Sequence, residues 1–164
     1  MAARMKINDR KWREVLGRVK RLDGAHVKVG VLSSKGGDAD HGEGITMVEL
    51  AAIHEFGSPA AGIPQRSFIR RTLVDAPWLP QFTAKLARGV VELKVTETQA
   101  LGILGEKAVL EIKRTITDGA GVPPPLAEAT IAAKGSTRPL VDHGRLLGAI
   151  SYSVVDGKPP KEGM

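Results

Sequence analysis

The stretch ELAAIHEFGSPAAGIPQRSFIRR, residues 49–71, has the most distinctive pattern in this chain. An apolar run typical of a short helix leads into a loop that proline stiffens, and a basic cluster follows at once. The stretch contains no catalytic motif, yet it is too strongly patterned to be a mere connection. We interpret it as a docking segment. Its candidate interaction residues are the two aromatics, the second proline of the loop and the arginines: Phe56, Pro64, Arg66, Phe68, Arg70 and Arg71.

The hypothesis for this segment is that the loop 57–68 lies at a contact between protein subunits. Phe56 and Phe68 would anchor that contact, and the arginines would pair with acidic groups of the partner. The alternative is that both phenylalanines fill the chain's own core. The sequence alone leaves these two readings open.

The residues before this stretch predict a helix, a strand and a loop. A helix is predicted over 9–22, where apolar residues recur at helical spacing, and a strand over 26–31, where valine alternates with other residues. Val27, Val29 and Val31 are expected to face the core. The Gly- and Asp-rich segment 33–45 predicts a flexible polar loop.

Helices dominate the prediction from residue 46 onward. Thr46 with Glu49 predicts a capping box at the start of a helix over 46–56, and Pro77 and Pro80 are expected to interrupt helical structure. One long helix or two successive helices are predicted over 80–117. The β-branched residues near Val95 allow a break there, and Thr96 with Gln99 predicts a second capping box.

The end of the chain predicts one more helical turn, a loop and a strand. The helical turn is predicted over 126–133, and the alternation in 149–155 predicts the closing strand. The expected fold is therefore α+β, with a small antiparallel sheet packed against two or more helices and with long loops. Residues 1–155 would form a single domain, and 156–164 a disordered tail.

Composition narrows the class of protein. The chain has 164 residues, with 42% hydrophobic and 26% charged residues, which is ordinary for one globular domain. It contains no cysteine, which excludes disulfides, thiolate metal sites and a cysteine nucleophile. It also lacks a run of about 18 apolar residues, so no membrane span and no membrane partner are expected.

The net charge of +6 is concentrated at the N-terminus. The predicted first helix presents a basic face that includes Arg10, Lys11 and Arg18. Such a face suits nucleic acid or an acidic protein surface, although runs of charge are more often a solvated helix face. A steep dependence of DNA affinity on salt would favour nucleic-acid binding.

No enzymatic, cofactor or metal site is predicted. Asp38, Asp40 and Glu49 match three positions of a calcium-binding loop, but Glu43 stands where that loop needs glycine. His54 belongs to no HExxH motif, and neither GxSxG nor a phosphate-binding glycine motif occurs. Structural roles are therefore expected for the histidines, including His143 beside Asp142, and the chain is not expected to be an enzyme. A hydrolase that uses His54 or His143 is the remaining enzymatic alternative, and it would require activity that is lost when either residue is replaced.

Five segments together resemble a known family. They are the strand HVKVGVL, the helix ELAAIHEFG, the loop IPQRSFIRR, the helix GEKAVLEIKRTI and the closing PPPLAEATIAAKGSTRPLVDHGRLLGAISYSV. In these the chain resembles the virion-morphogenesis proteins of tailed bacteriophages, also called tail-completion or neck proteins, including the Mu-like branch. The resemblance covers residues 25–155. The loop 33–45 and the strongly basic N-terminus depart from the pattern.

The resemblance implies a structural virion protein rather than an enzyme. It implies action in tail completion and head-to-tail joining at the neck or tail end of a particle that assembles in the host bacterial cytoplasm. The implied partners are the tail terminator, the head-tail connector and further copies of the chain in an oligomeric ring. The tail of such a phage implies sixfold symmetry for this ring. Packaged DNA is an additional contact. The alternative is a nucleic-acid-binding accessory protein that uses the basic N-terminal helix.

Overall fold

The chain folds as an α+β protein, as the sequence predicts. The computed structural model describes residues 9–38, 40–42, 44–74, 76–118, 122, 124–125, 128, 131–132 and 144–157. Its helices are α1 (Asp9–Leu22), α2 (Met47–Phe56), α3 (Ile69–Leu73), α4 (Trp78–Val91), α5 (Glu97–Thr117) and α6 (Arg145–Ala149). Its strands are β1 (His26–Val31), β2 (Asp40–Gly42), β3 (Ile45–Thr46) and β4 (Ile150–Val155). Most of the turn predicted over 126–133 and of the tail predicted over 156–164 lies outside the described residues.

The first and last described strands, β1 and β4, pair with each other although they are far apart in the sequence. β1 and β4 pair antiparallel, with Val29 opposite Tyr152 and Val31 opposite Ile150. Because side chains alternate along a strand, the valines of β1 share one face with Ile150 and Tyr152. That face packs against α5 and belongs to the core, whose buried members are Met47, Ala51, Phe68, Ile112, Ile116, Val122, Leu146 and Ile150. The expectation that the valines of β1 face inward is confirmed for Val29 and Val31.

The contact between α5 and β4 depends on a glycine. Gly105 is buried in α5, and the ring of Tyr152 occupies the place where a side chain at this position would begin. Glycine costs helix stability in a helix interior, so its use here reflects the close approach of the ring. The Tyr152 hydroxyl donates a 3.4 Å hydrogen bond to Oε1 of Glu106 on the same helix.

The ionisation of Tyr152 can be followed directly, because it is the only tyrosine of the chain. Burial and, after it, the negative charge of Glu106 raise the pKa of its hydroxyl above the ordinary value of about 10. We expect the phenolate absorbance to develop at a higher pH in the folded protein than in urea. Because the unfolded chain loses this proton first, stability should fall as pH rises from about 10 through the folded pKa.

The replacement Glu106→Gln should lower the folded midpoint of Tyr152 only in part, because burial, the largest single cause of its raised pKa, remains in the variant. A midpoint that is the same in folded and unfolded protein would contradict this account.

The segment 33–45, predicted as a flexible polar loop, contains short regular elements in the part that the structure describes. A single 3₁₀ turn covers Ser33–Lys35, and β2 and β3 form a small antiparallel hairpin. The hairpin turns at Gly44, whose φ of +75° is a conformation that glycine adopts without strain. The polar composition predicted a loop, but a strand pair this short needs only a suitable turn.

The region predicted as one or two helices contains two, with the break near Val95 as expected. A capping box at Thr96 and Gln99 starts α5, and the one predicted at Thr46 and Glu49 starts α2. Pro80 does not interrupt helical structure, because it lies in the first turn of α4. The backbone N–H groups of a first turn have no helical partner, so proline loses nothing there.

Candidate docking surface

A buried carboxylate organises the segment 49–71. Met47, Ala51 and Glu55 form the buried face of α2, and Glu55 is only 6% exposed. Its Oε2 accepts hydrogen bonds from the backbone N–H of Phe68 and of Ile69, both at 2.9 Å. Its Oε1 accepts one at 2.6 Å from the Ser67 hydroxyl and one at 3.1 Å from the N–H of Arg70.

These four bonds make Glu55 the cap of a different helix. The residue at the N-cap position of α3, Phe68, has no side-chain group that could bond the free N–H groups of the first turn. Glu55 supplies two carboxylate oxygens instead, and a negative charge is favourable at a helix N-terminus. The backbone of Arg66 also donates a 2.7 Å bond to the carbonyl of His54. α2 and α3 are therefore held together through one side chain.

Two predicted docking residues lie inside the protein, and the expectation that they anchor a partner is corrected here. Phe68 has no exposed surface and belongs to the core, as the alternative reading stated. Arg66 is 7% exposed, and its guanidinium donates bonds of 3.0 and 3.3 Å to the carbonyls of Pro124 and Pro125. Burial lowers the pKa of Arg66, although arginine stays protonated in proteins. Its guanidinium therefore ties the segment 49–71 to Pro124 and Pro125.

The other four candidates are exposed, and the structure brings two of them together. Phe56 is 64% exposed, and the guanidinium carbon of Arg70 lies 5.3 Å from the centre of its ring, within reach of a cation–π interaction. Pro64 and Arg71 are also exposed.

Phe56 and Arg70 border an apolar groove between α2 and α3. The groove has a volume of about 430 Å³, and Val74 at its rim is 71% exposed. We call it the Phe56 groove; its lining residues are Val31, Val48, Ala51, Ala52, Glu55, Phe56, Ile69, Arg70, Leu73 and Val74. Glu55 connects both walls, so the cap that joins α2 to α3 also fixes the shape of the groove.

The basic residues predicted on α1 also fall into two groups, one engaged within the chain and the other exposed. Arg18 is engaged within the chain: its guanidinium donates to the Val95 carbonyl at 2.7 Å and to Glu14 Oε1 at 3.0 Å. Arg10 and Lys11 are exposed. The predicted role of this face toward DNA or an acidic partner stays a prediction for these two residues. The helix also leaves three apolar side chains substantially exposed, namely Trp12, Leu16 and Val19.

Glu55 was missed as a key residue because charged side chains are expected at the surface. The signal available in the sequence was its spacing: Met47, Ala51 and Glu55 recur every four residues on one helix face. A carboxylate on an apolar face needs hydrogen-bond donors. The start of α3 after Phe68, without a capping residue of its own, is visible only in the structure.

Tests for other site types and the comparisons with known proteins are negative. Among the described residues, no group of three or more His, Asp or Glu side chains could hold a metal ion. Asp142 and His143 lie outside that part of the chain. The described helices include none with the length and apolar content needed to cross a bilayer. No family model, no curated protein and no solved structure matches the chain.

Proposed function

We propose that this protein is a structural virion protein of a tailed bacteriophage, or of a particle derived from a prophage. It acts in tail completion and head-to-tail joining through protein–protein contacts, and the Phe56 groove is one of its docking surfaces. The observation that carries the proposal is the large, exposed aromatic side chain of Phe56 beside an apolar groove. Phe56 belongs to the HEFG motif, and Ile69 and Arg70 of the groove belong to the IPQRSFIRR motif; both motifs resemble the neck proteins.

Energetics support a docking role for this groove. A cluster of exposed apolar residues loses its contact with water when a partner covers it, and large aromatic side chains contribute most to such contacts. Arg70 lies against the Phe56 ring, where it can pair with an acidic group of the partner. Glu55 holds both walls before the partner arrives, so little conformational entropy is lost on binding.

The proposed partners follow from the same role. In a ring at the neck, each copy contacts a neighbouring copy through two different patches, and the ring contacts the tail terminator or the head-tail connector. Arg70 and Arg71 beside the groove favour an acidic partner surface. The exposed Arg10 and Lys11 of α1 are proposed to face another acidic surface or the packaged DNA.

The test introduces a charge into the Phe56 groove without touching the core. Phe56→Asp and Val74→Asp change exposed side chains, so each variant should stay folded, with an unfolding free energy within about 0.5 kcal/mol of the parent. In a phage or prophage lacking its own copy of the gene, neither variant should restore infectious particles, and unjoined heads and tails should accumulate.

Val91→Asp is the matched control, because Val91 is 50% exposed on α4 and does not line the groove. It should complement as well as the parent protein. Normal particle yield from both groove variants would argue against the proposed surface.

A further inference from the structure

In the part of the chain that the structure describes, the sheet formed by β1 and β4 has an open edge. β4 pairs with β1 along its whole length, and the two strands form a two-stranded sheet. In an antiparallel pair, every second residue of a strand directs its N–H and C=O groups away from the paired strand. Among the described residues, no backbone group outside β1 bonds to the backbone of Ile150–Val155. The outer edge of β4 therefore offers backbone donors and acceptors to a further strand.

A second groove runs beside this open edge. It has a volume of about 460 Å³ and lies between Ile150 and Tyr152 of β4 and Val109 and Leu110 of α5. Leu110 is 45% exposed although it is fully apolar. The groove shares no lining residue with the Phe56 groove. An open strand edge alongside an apolar helix face is the arrangement by which proteins bind extended peptides as an added strand.

The charges around the β4 groove indicate the chemistry of its occupant. Lys35 and Lys113 line it, and neither forms an ion pair with another described residue. The carboxylate that lines it, Glu106, accepts a hydrogen bond from Tyr152. Two lysines beside an apolar floor match an extended segment that presents both apolar and acidic side chains on the one face it turns toward the groove.

A second copy of this chain fits the groove less well. Within the chain, Val31 pairs with Ile150, so a second copy's β1 in the same register would end near Ile150. Lys35 follows β1 by only a few residues, which would place the lysine of the second copy close to the lysines already there. Like charges at a contact disfavour it.

We propose that the groove between β4 and α5 binds an extended segment of a partner protein as a third strand on the open edge of β4, with apolar and acidic side chains on the face that the segment turns toward the groove. Backbone hydrogen bonds to β4 hold this strand. Its apolar side chains lie on Leu110 and Val109, and its acidic side chains pair with Lys35 and Lys113. The assignment does not depend on the proposed role of the Phe56 groove.

The probe is a fluorescent eight-residue peptide in which serine occupies every second position and valine and aspartate take turns at the others, so that one face of the strand carries both, and binding is followed by fluorescence anisotropy. Three matched peptides accompany it: one with lysine for every aspartate, one N-methylated on alternate backbone amides, and one N-methylated on the remaining amides. The acidic peptide should bind. The lysine peptide and at least one N-methylated peptide should not, because they lack the charge or the backbone donors respectively.

Protein variants test the groove residues. Leu110→Lys and the double replacement Lys35→Glu with Lys113→Glu should each weaken binding of the acidic peptide about tenfold or more, and the double variant should gain binding of the lysine peptide. Ile103→Lys is the matched control on α5, since Ile103 is 40% exposed and lies outside the groove. It should bind as the parent does.

Several outcomes would overturn the assignment. They are failure of the acidic peptide to bind, equal binding of the acidic and lysine peptides, equal binding of all N-methylated forms, and an Ile103→Lys effect as large as that of Leu110→Lys. Self-association of the parent protein that Leu110→Lys abolishes would assign the groove to a second copy instead. Sedimentation measurements on both proteins detect that case.

Discussion

Replacing Glu55 with alanine is expected to lower the free energy of unfolding by about 3–5 kcal/mol, a large part of the stability of a domain this size. The carboxylate accepts four hydrogen bonds, and three of their donors are backbone N–H groups at the start of α3. Bonds to a charged acceptor contribute more than neutral ones. The N–H group of Phe68 is buried, so no water replaces the lost oxygen there.

The measurement is urea unfolding followed by tryptophan fluorescence, with Glu55→Gln as the second variant. Glutamine keeps the size of the side chain and one acceptor oxygen but directs an NH₂ group at backbone donors. It should therefore destabilise less than alanine and still clearly more than a surface replacement. The unfolding free energies can be compared if the variants show similar slopes of free energy against urea concentration, because similar slopes mean that unfolding exposes the same amount of surface.

Glu49→Ala is the matched control because it removes a carboxylate from the same helix. Glu49 is exposed and closes the capping box of α2 by accepting from the N–H of Thr46 at 2.8 Å. Its loss should cost about 1 kcal/mol, as is usual for a helix cap. If Glu49→Ala and Glu55→Ala prove equally mild, the carboxylate of Glu55 is not the element that fixes α3.

The sequence predicted features that depend on neighbouring residues. Both capping boxes join residues three positions apart, and the alternation of valine in β1 needs only six positions. The break between α4 and α5 was also visible, because β-branched residues and a capping threonine meet there. These signals are local, so composition and spacing suffice to detect them.

The internal roles in the candidate site depend on contacts between distant parts of the chain. Arg66 bonds to carbonyls 58 and 59 positions further on, and Glu55 reaches backbone groups 13 to 15 positions away. No periodicity encodes such pairs. The sequence showed that 49–71 is a special segment, but it could not divide its side chains between those that hold the protein together and those that face a partner.

Replacing Phe56 and replacing Phe68 by alanine tests this division between internal and partner-facing side chains, because both residues are phenylalanines of the same segment. Phe68→Ala is expected to lower the free energy of unfolding by about 3–5 kcal/mol, because Phe68 is fully buried and alanine leaves a cavity. Phe56→Ala should change it by about 0.5 kcal/mol or less, since the ring is 64% exposed and its cation–π contact with Arg70 lies at the surface.

The same two variants separate stability from assembly. At a temperature where Phe68→Ala is still folded, its Phe56 groove is expected to support particle joining, whereas Phe56→Ala should be stable and defective in joining. Urea unfolding and complementation of particle assembly on the same pair of proteins provide the measurement. A stable Phe68→Ala protein, or a Phe56→Ala protein that unfolds as readily as Phe68→Ala, would reverse the assignment. The contrast is informative because both variants lose the same atoms, so any difference arises from where the ring lies.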